Sequence, residues 1–247
     1  MQIKISIVSV GIDSPEWAEL FIKSIWKFTT ISHEIIIIDN NSLSENLIWL
    51  RGQQDIRLIE NEINRGHGGA MDQAVLLARG EYVCIFDIDS HVQRKNWDRD
   101  LLSVYNRNKK IRLIGCVGPE HKPLHPPLFF FKKQFILDNC LSFLHIPGIT
   151  SDTAQKIYWD IKALGFKIVR LSPSKKIYNC KGDQFWLEER PTFWHGWYGT
   201  RFCHNHPIRR KKTIDGRHIE DFLANLKRLF NEPGVKEIMA YRKRKRA

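Results

Sequence analysis

Two carboxylates two residues apart, Asp87 and Asp89, close the run Glu81-Tyr-Val-Cys-Ile-Phe-Asp-Ile-Asp-Ser90. The apolar part of that run reads as a buried strand. Successive side chains of a strand point to opposite faces, so residues two apart share a face. Both acids would then project from the strand's C-terminal end, where open α/β sheets place their ligand crevice. Neighbouring acids repel unless a cation or a ligand hydroxyl sits between them. A hard divalent ion with oxygen ligands is the natural occupant. A solvated acidic turn is the plainer reading of so short a pattern.

These acids need elements to hold them. A first strand is expected over Ile3-Lys-Ile-Ser-Ile-Val-Ser-Val10, followed by a helix in which Trp17, Leu20, Phe21, Ser24 and Ile25 recur at three-and-four spacing. A β-branched strand, Glu34 to Asp39, ends in the turn Asn40-Asn41-Ser42. A short strand, Ile56 to Ile59, leads through Asn61-Glu-Ile-Asn-Arg-Gly-His-Gly-Gly69 to a helix over Ala70–Ala78, which feeds the acid-bearing strand. Strands alternating with helices argue a parallel sheet with right-handed crossovers. Further on, the proline-rich stretch 118–127 excludes a regular helix. Leu128-Phe-Phe-Phe-Lys-Lys reads as a mixed-sheet strand, and a helix over Ala154–Leu164 ends at Gly165 before a strand over Phe166–Leu171.

The order Ile-Ile-Ile-Ile-Asp-Asn-Asn-Ser (35–42), Asn-Arg-Gly with Ala-Met-Asp-Gln-Ala (64–74), then Ala-Arg-Gly-Glu-Tyr and Asp-Ile-Asp (78–89) resembles the nucleotide-sugar-binding half of family 2 glycosyltransferases. The likeness spans roughly residues 1–100 and continues more loosely to about 202; Asp72 and Ala74 stand where that family often has Asn and Gly. It implies an α/β protein of the GT-A fold, with a mostly parallel central sheet flanked by helices. Residues 1–206 would form the transferase domain, with a nucleotide-sugar half (1–100) and an acceptor half (101–206), followed by a basic helix and tail (207–247). The implied reaction is metal-dependent transfer of a sugar from a UDP- or GDP-type donor to a saccharide or lipid-linked acceptor, with inversion.

The resemblance also places individual residues. Asp87 contacts the ribose or a metal-bound water, and Asp87 and Asp89 hold Mn²⁺ or Mg²⁺, with His195 from Phe193-Trp-His-Gly-Trp-Tyr as a further ligand. An oxygen-and-nitrogen set of that kind suits Mn²⁺. Asp39 accepts a hydrogen bond from the base, and Val10 and Ile88 line the nucleotide site. Asn64, Arg65 and Gly66 lie over the nucleotide, Arg201 pairs with a phosphate oxygen, and Asp152 is the catalytic base. Each has a structural alternative. Asp39 can form a turn, 64–66 can be a plain glycine turn, and Ser151 or Asp152 can cap the following helix. His195 can stack among Trp194, Trp197 and Tyr198, and that aromatic cluster serves as sugar platform or as core. Asp160, Asp183 and Glu188 are fallback bases; His204 and His206 are weaker ligand candidates, and His67 and His91 read as ordinary loop residues.

Composition sets the outer bounds. An apolar content of 43% over 247 residues is that of a globular chain with one sizeable core. Five scattered cysteines fit neither a disulfide framework nor a zinc ribbon and suit a reducing compartment. No stretch approaches the roughly 20 apolar residues of a membrane span, and residues 1–10 read as a strand rather than a signal peptide. A cytoplasmic location follows as the expectation. Residues 201–247 carry +9 of the net +12, in clusters at Arg209–Lys212 and Arg242–Arg246. Between them Ile219, Phe222, Leu223, Leu226, Leu229 and Phe230 mark an amphipathic helix. It either packs on the domain or brings basic residues to anionic headgroups. No base-reading motif accompanies these charges, which weighs against nucleic acid.

Two rival classes share these features. A nucleotidyltransferase uses paired acids on such a sheet, but a Gly-rich basic signature does not follow the first strand, where Ser9-Val-Gly-Ile-Asp13 stands. A non-catalytic module would rely on the basic C-terminal region alone.

Overall fold

The structure, a computed structural model, describes residues 2–118, 123–146, 153–175, 182–196, 224 and 227–245. Strand β1 (Ile5–Gly11) is followed by α1 (Pro15–Phe28), β2 (His33–Asp39), a short 3-10 turn (Ser44–Leu47), α2 (Ile48–Arg51), β3 (Arg57–Glu60) and α3 (Gly66–Leu77). Then come β4 (Tyr82–Asp87), β5 (Ser90–Val92), α4 (Trp97–Asn106), β6 (Ile111–Cys116), β7 (His125–Lys132) and α5 (Lys133–Asp138). The chain continues with α6 (Thr153–Ala163), β8 (Lys167–Leu171), β9 (Pro173–Lys175), β10 (Asp183–Leu187), β11 (Arg190–His195) and α7 (Pro233–Lys245).

Seven strands form the main sheet in the order β3-β2-β1-β4-β7-β6-β8. All neighbouring pairs are parallel except those of β7, which runs antiparallel to β4 and β6. Interior strands of such a sheet are covered on both faces and read as unbroken apolar runs. Accordingly Ile35–Ile38 on β2 and Leu128–Phe131 on β7 are buried without alternation. A second, antiparallel sheet, β5-β11-β10-β9, leans against α1. Helix α1 starts with Pro15 in its first turn, where the missing amide hydrogen costs nothing. Its buried face, Trp17, Leu20, Phe21, Ser24 and Ile25, is the one expected from the spacing.

Helix α3 begins at Gly66 rather than at Ala70. The three glycines 66, 68 and 69 are poor helix formers, but tertiary contact overrides the propensity. A Cβ on Gly68 would lie 2.4 Å from the carbonyl oxygen of Phe143, so only glycine lets α3 lie against the 142–144 segment. Asp72, one turn on, secures that contact: its carboxylate accepts from Ser142 Oγ at 2.6 Å and from the Phe143 amide at 2.8 Å.

At the N-terminal ends of the parallel strands, Glu34 takes hydrogen bonds from Ser6 Oγ (2.6 Å), Arg57 (2.7 Å) and the Arg79 amide (2.7 Å). Helix α7 packs on α1, with Val235 and Ile238 buried, Lys27 paired with Glu237, and Lys23 Nζ 2.7 Å from the Met239 carbonyl. Among the described residues no helix is long and apolar enough to cross a membrane.

Candidate active site

The acid pair stands where the chain leaves one sheet for the other. Strand β4 stops at Asp87, and the turn Ile88-Asp89 hands the chain to β5, whose Ser90 is in register with His195 at the end of β11. Asp89 therefore lies beyond the strand, and strand alternation does not place it beside Asp87. The change of sheet does, by folding both acids around one histidine. His195 Nε2 lies 3.2 Å from Asp89 Oδ1 and 3.3 Å from Asp87 Oδ2. Asp89 and His195 are buried, and the Gly196 amide donates to the Asp89 carbonyl at 3.0 Å. A Cβ on Gly196 would come within 3.2 Å of Asp89 Oδ2, so a side chain there would crowd that oxygen.

Electrostatics follow from this packing. Burial alone would discharge His195, but the Asp89 and Asp87 carboxylates outweigh it and raise the imidazole from 6.5 to about 10. Burial likewise works against the Asp87 carboxylate, yet His195 and His67 hold it well below the usual carboxylate range. In this arrangement His195 is an imidazolium compensating two buried acids.

The same three side chains fit a divalent cation. Their donor atoms lie within 4.8 Å of one another. A cation with bonds of about 2.0–2.1 Å holds adjacent donors roughly 3 Å apart, close to the nitrogen–oxygen distances given above. Asp87 Oδ1 is buried with no hydrogen-bond donor aligned on it, although His67 Nε2 is 3.2 Å away. Two carboxylates and an imidazole are a donor set suited to Mn²⁺, and to Mg²⁺ through the carboxylates.

Other residues expected at the site distribute unevenly. Asp39, at the end of β2, is buried, and both its oxygens are taken by Ser42: the amide at 3.0 Å and the hydroxyl in a short hydrogen bond. Burial pushes its carboxyl above the usual range, against those hydrogen bonds. Asp39 lines a pocket with Gly11, Ile12, Ser42, Asn46 and Ile88. Val10 is not among that pocket's lining residues; it is the register partner of Asp87 on β1. Asn64 is turned to the scaffold, where its Oδ1 accepts from Asn40 and from the Gly66 amide, both at 2.8 Å. Arg65 is exposed at the start of α3, and Gly66 has φ +71°, a value glycine adopts freely.

Asp152 and Arg201 lie outside the described residues, as do Ser151, Trp197, Tyr198, His204 and His206. Of the fallback acids, Asp183 is the register partner of His195. Asp160 pairs with Lys156 on α6, and Glu188 pairs with Arg107 at the far end of the β10–β11 hairpin. Phe193 and Trp194 are core: Phe193 stacks on Phe185 at 4.9 Å and Trp194 on Trp17 at 5.8 Å.

Two histidines read as loop residues belong elsewhere. His67 sits in the first turn of α3 against Asp87, and His91 is buried in β5 beside Trp194, where burial lowers it to about 3 and leaves it neutral. His125, at the start of β7, was not read as a site residue, yet its ring meets that of His195 at 6.0 Å. Neither His67 nor His125 is near the acids in sequence. Only the glycines 66, 68 and 69 hinted at a close approach there.

The family model for Glycosyl transferase family 2 matches residues 13–148, more than half of the chain. A dolichyl-phosphate β-glucosyltransferase of Dictyostelium discoideum is 34% identical over 163 residues, 63% of this chain and 48% of the relative. An uncharacterized glycosyltransferase of Methanocaldococcus jannaschii is 32% identical over 176 residues, 65% of this chain and 60% of the relative. The chain thus spans about half to three fifths of the curated relatives it matches. Among solved structures, a Pyrobaculum calidifontis mannosyltransferase in complex with GDP-Man and Mn²⁺ matches with TM-score 0.57 and 16% identity, over 98% of this chain and 75% of its own. Staphylococcus aureus TarS with UDP-GlcNAc matches with TM-score 0.56 and 14% identity, over 97% and 71%. At these identities the structures speak for the fold alone.

Proposed function

The chain belongs to glycosyl transferase family 2 and has the GT-A fold, and from that premise we propose that it is a divalent-metal-dependent enzyme moving a sugar from a nucleoside-diphosphate donor to an acceptor hydroxyl. The observation that carries this reading is the convergence of Asp87, Asp89 and His195 at the end of β4. These three residues would hold Mn²⁺ or Mg²⁺. When bound, the ion supplies a Lewis acid that neutralises the departing diphosphate.

The remaining roles fall to the chain's own groups. Asp39 accepts a hydrogen bond from the base, in the pocket it shares with Ile88. Val10 backs the nucleotide beside Asp87. The turn Asn64-Arg65-Gly66 fixes the start of α3 through Asn64 and presents the exposed Arg65 guanidinium to the donor. Arg201 pairs with a phosphate oxygen, bidentately where geometry allows. A sugar hydroxyl is a weak nucleophile near neutral pH, so a carboxylate must take its proton during attack; Asp152 has that role. Inversion at the anomeric carbon accords with one displacement step and one base.

Residues 1–100 form the donor half, 101–206 the acceptor half, and 207–247 a basic extension. The donor is a UDP- or GDP-type sugar, as in the solved neighbours. The acceptor is a saccharide or a lipid-linked one, in glycan or polysaccharide synthesis; relatives named for dolichyl-phosphate and for colanic acid support both. The enzyme works in the cytoplasm, with its basic C-terminal region touching anionic headgroups.

Asp89→Ala, assayed for nucleoside diphosphate release with Mn²⁺ and a panel of nucleotide sugars, is expected to lose transfer and to bind the nucleotide more weakly. Undiminished, metal-stimulated turnover by that variant would overturn the proposal. Release of pyrophosphate by the unaltered chain would indicate nucleotidyl transfer instead.

A further inference from the structure

The two oxygens of Asp87 have different surroundings. Oδ2 lies on the side of the converging donors, 3.3 Å from His195 Nε2. Oδ1 is buried, no hydrogen-bond donor is aligned on it among the described residues, and His67 Nε2 faces it at 3.2 Å. His67 stands outside the group of three donors that gather within 4.8 Å. It reaches Asp87 from the first turn of α3, with its side chain 34% exposed.

The backbone around His67 is pinned on both sides. Before it, Asn40 Nδ2 donates to Asn64 Oδ1 at 2.8 Å, and Asn40 Oδ1 accepts the Arg65 amide at 3.0 Å. Asn64 Oδ1 also accepts the Gly66 amide at 2.8 Å. After it, Gly68 lies too close to the Phe143 carbonyl for any Cβ, and Asp72 accepts from Ser142 Oγ at 2.6 Å. Asn61 and Gln73 exchange two hydrogen bonds of 2.9 Å, tying the preceding loop to the helix. These restraints fix His67 relative to β2 and to the 142–144 segment, so its ring has a set approach to Asp87.

A carboxylate turns broadly about its last torsion. A donor on one oxygen fixes where the other points, and outer partners of this kind orient metal-binding carboxylates. A neutral imidazole protonated at Nε2 is such a donor. The equally broad torsion of the ring can bring that N–H into line across 3.2 Å. We propose that His67 is a positioning residue of the cation site: it donates to Asp87 Oδ1 and so keeps Oδ2 among the donors of Asp89 and His195. The inference rests on the reading of those three residues as a divalent-cation site.

The test is Mn²⁺ uptake by the full chain, read as loss of the free ion's paramagnetic resonance signal, in the unaltered protein, His67→Ala, His67→Gln and Asp89→Ala. His67→Ala is expected to weaken uptake about 10-fold or more, the scale of losing a ligand's outer partner. His67→Gln, whose side-chain amide also donates, should recover most of that loss. Thermal unfolding in EDTA should shift by no more than about 3 °C in either variant. A midpoint lowered well beyond that in both would make His67 a folding residue and overturn the proposal. Unchanged affinity in His67→Ala, or His67→Gln as weak as His67→Ala, would overturn it and leave the cation site standing. No Mn²⁺ uptake by the unaltered chain, or full uptake by Asp89→Ala, would overturn the cation site itself and this inference with it.

Discussion

His195 Nε2 sits between the Asp87 and Asp89 carboxylates at 3.3 and 3.2 Å, which favours a protonated ring, and the proposed metal site would require that proton to leave. Its value is raised to about 10 by Asp89 and Asp87, over the opposing effect of burial. The sign for stability follows. A histidine whose folded value lies above its unfolded value of about 6.5 stabilises the fold below that pH, and the contribution is lost as pH rises towards 10. Metal binding runs the other way: Mn²⁺ must displace the proton, so its affinity rises with pH over the same window. Calorimetry at pH 7.5 in buffers of different ionisation enthalpy is expected to show about one proton released per Mn²⁺ bound. In His195→Ala that release should vanish. No proton release from the unaltered chain would mean that His195 is not a ligand. The role of His195 was legible in the sequence only through family resemblance. His67, which meets Asp87, and His125, whose ring meets that of His195, were not, because α3 and β7 bring them in from about 20 residues before and 40 residues after the acids.

Among the elements, α3 lies against the segment after α5, and two adjacent glycines separate packing from propensity. A Cβ at Gly68 would collide with the Phe143 carbonyl oxygen at 2.4 Å, whereas one at Gly69 would meet Arg65 and Leu144 side-chain atoms at 3.5 and 3.8 Å. Gly68→Ala is therefore expected to destabilise by about 1–3 kcal/mol in urea unfolding. Gly69→Ala should be neutral or stabilising by up to about 1 kcal/mol. Equal effects would show that the close approach is not what glycine serves at 68. The N-terminal ends of the parallel strands make a second prediction. Burial opposes the Glu34 charge, but Ser6, Arg57 and the Arg79 amide outweigh it and lower its value. Its contribution is thus present above the usual glutamate value and fades as pH falls through the lowered one. Glu34→Ala is expected to cost about 1–3 kcal/mol at pH 7 and distinctly less near pH 3. A cost independent of pH would mean that the charge is not what counts. Strands β1, β2, β4 and β7 were readable because each is an apolar run long enough to declare itself. Strand β5 was not, being three residues that bury a serine and a histidine. Helix α4 also went unread; its charged first turn includes Asp98, buried against the Thr30 and Ile31 amides.

For the molecule as a whole, the helix expected over 219–230 lies largely outside the described residues, and the helix that packs on the domain is α7, Pro233–Lys245. Through Val235 and Ile238 it leans on α1, and Phe230 reaches Trp17 at 5.9 Å. The first turn of α1, with Ser14, Pro15 and Ala18, in turn borders the pocket beside Asp39. The apolar contacts of this region are with α1, and the proposed membrane contact falls to its basic residues. These roles are separable by substitution. Val235→Ala with Ile238→Ala removes apolar volume from the α1 contact and is expected to cost several kcal/mol in thermal unfolding, since one Ile→Ala alone costs about 2–5 kcal/mol. Binding of the folded protein to anionic vesicles should be little changed. Reversing Arg242, Arg244 and Arg246 to Glu should leave stability within about 0.5 kcal/mol. Each basic residue near an anionic surface is worth about 1 kcal/mol, so losing three should weaken vesicle binding by at least roughly two decades, and more in low salt. If the charge reversals unfolded the chain and left vesicle binding intact, the basic cluster would be an internal structural element, and the proposed membrane contact would have to be abandoned.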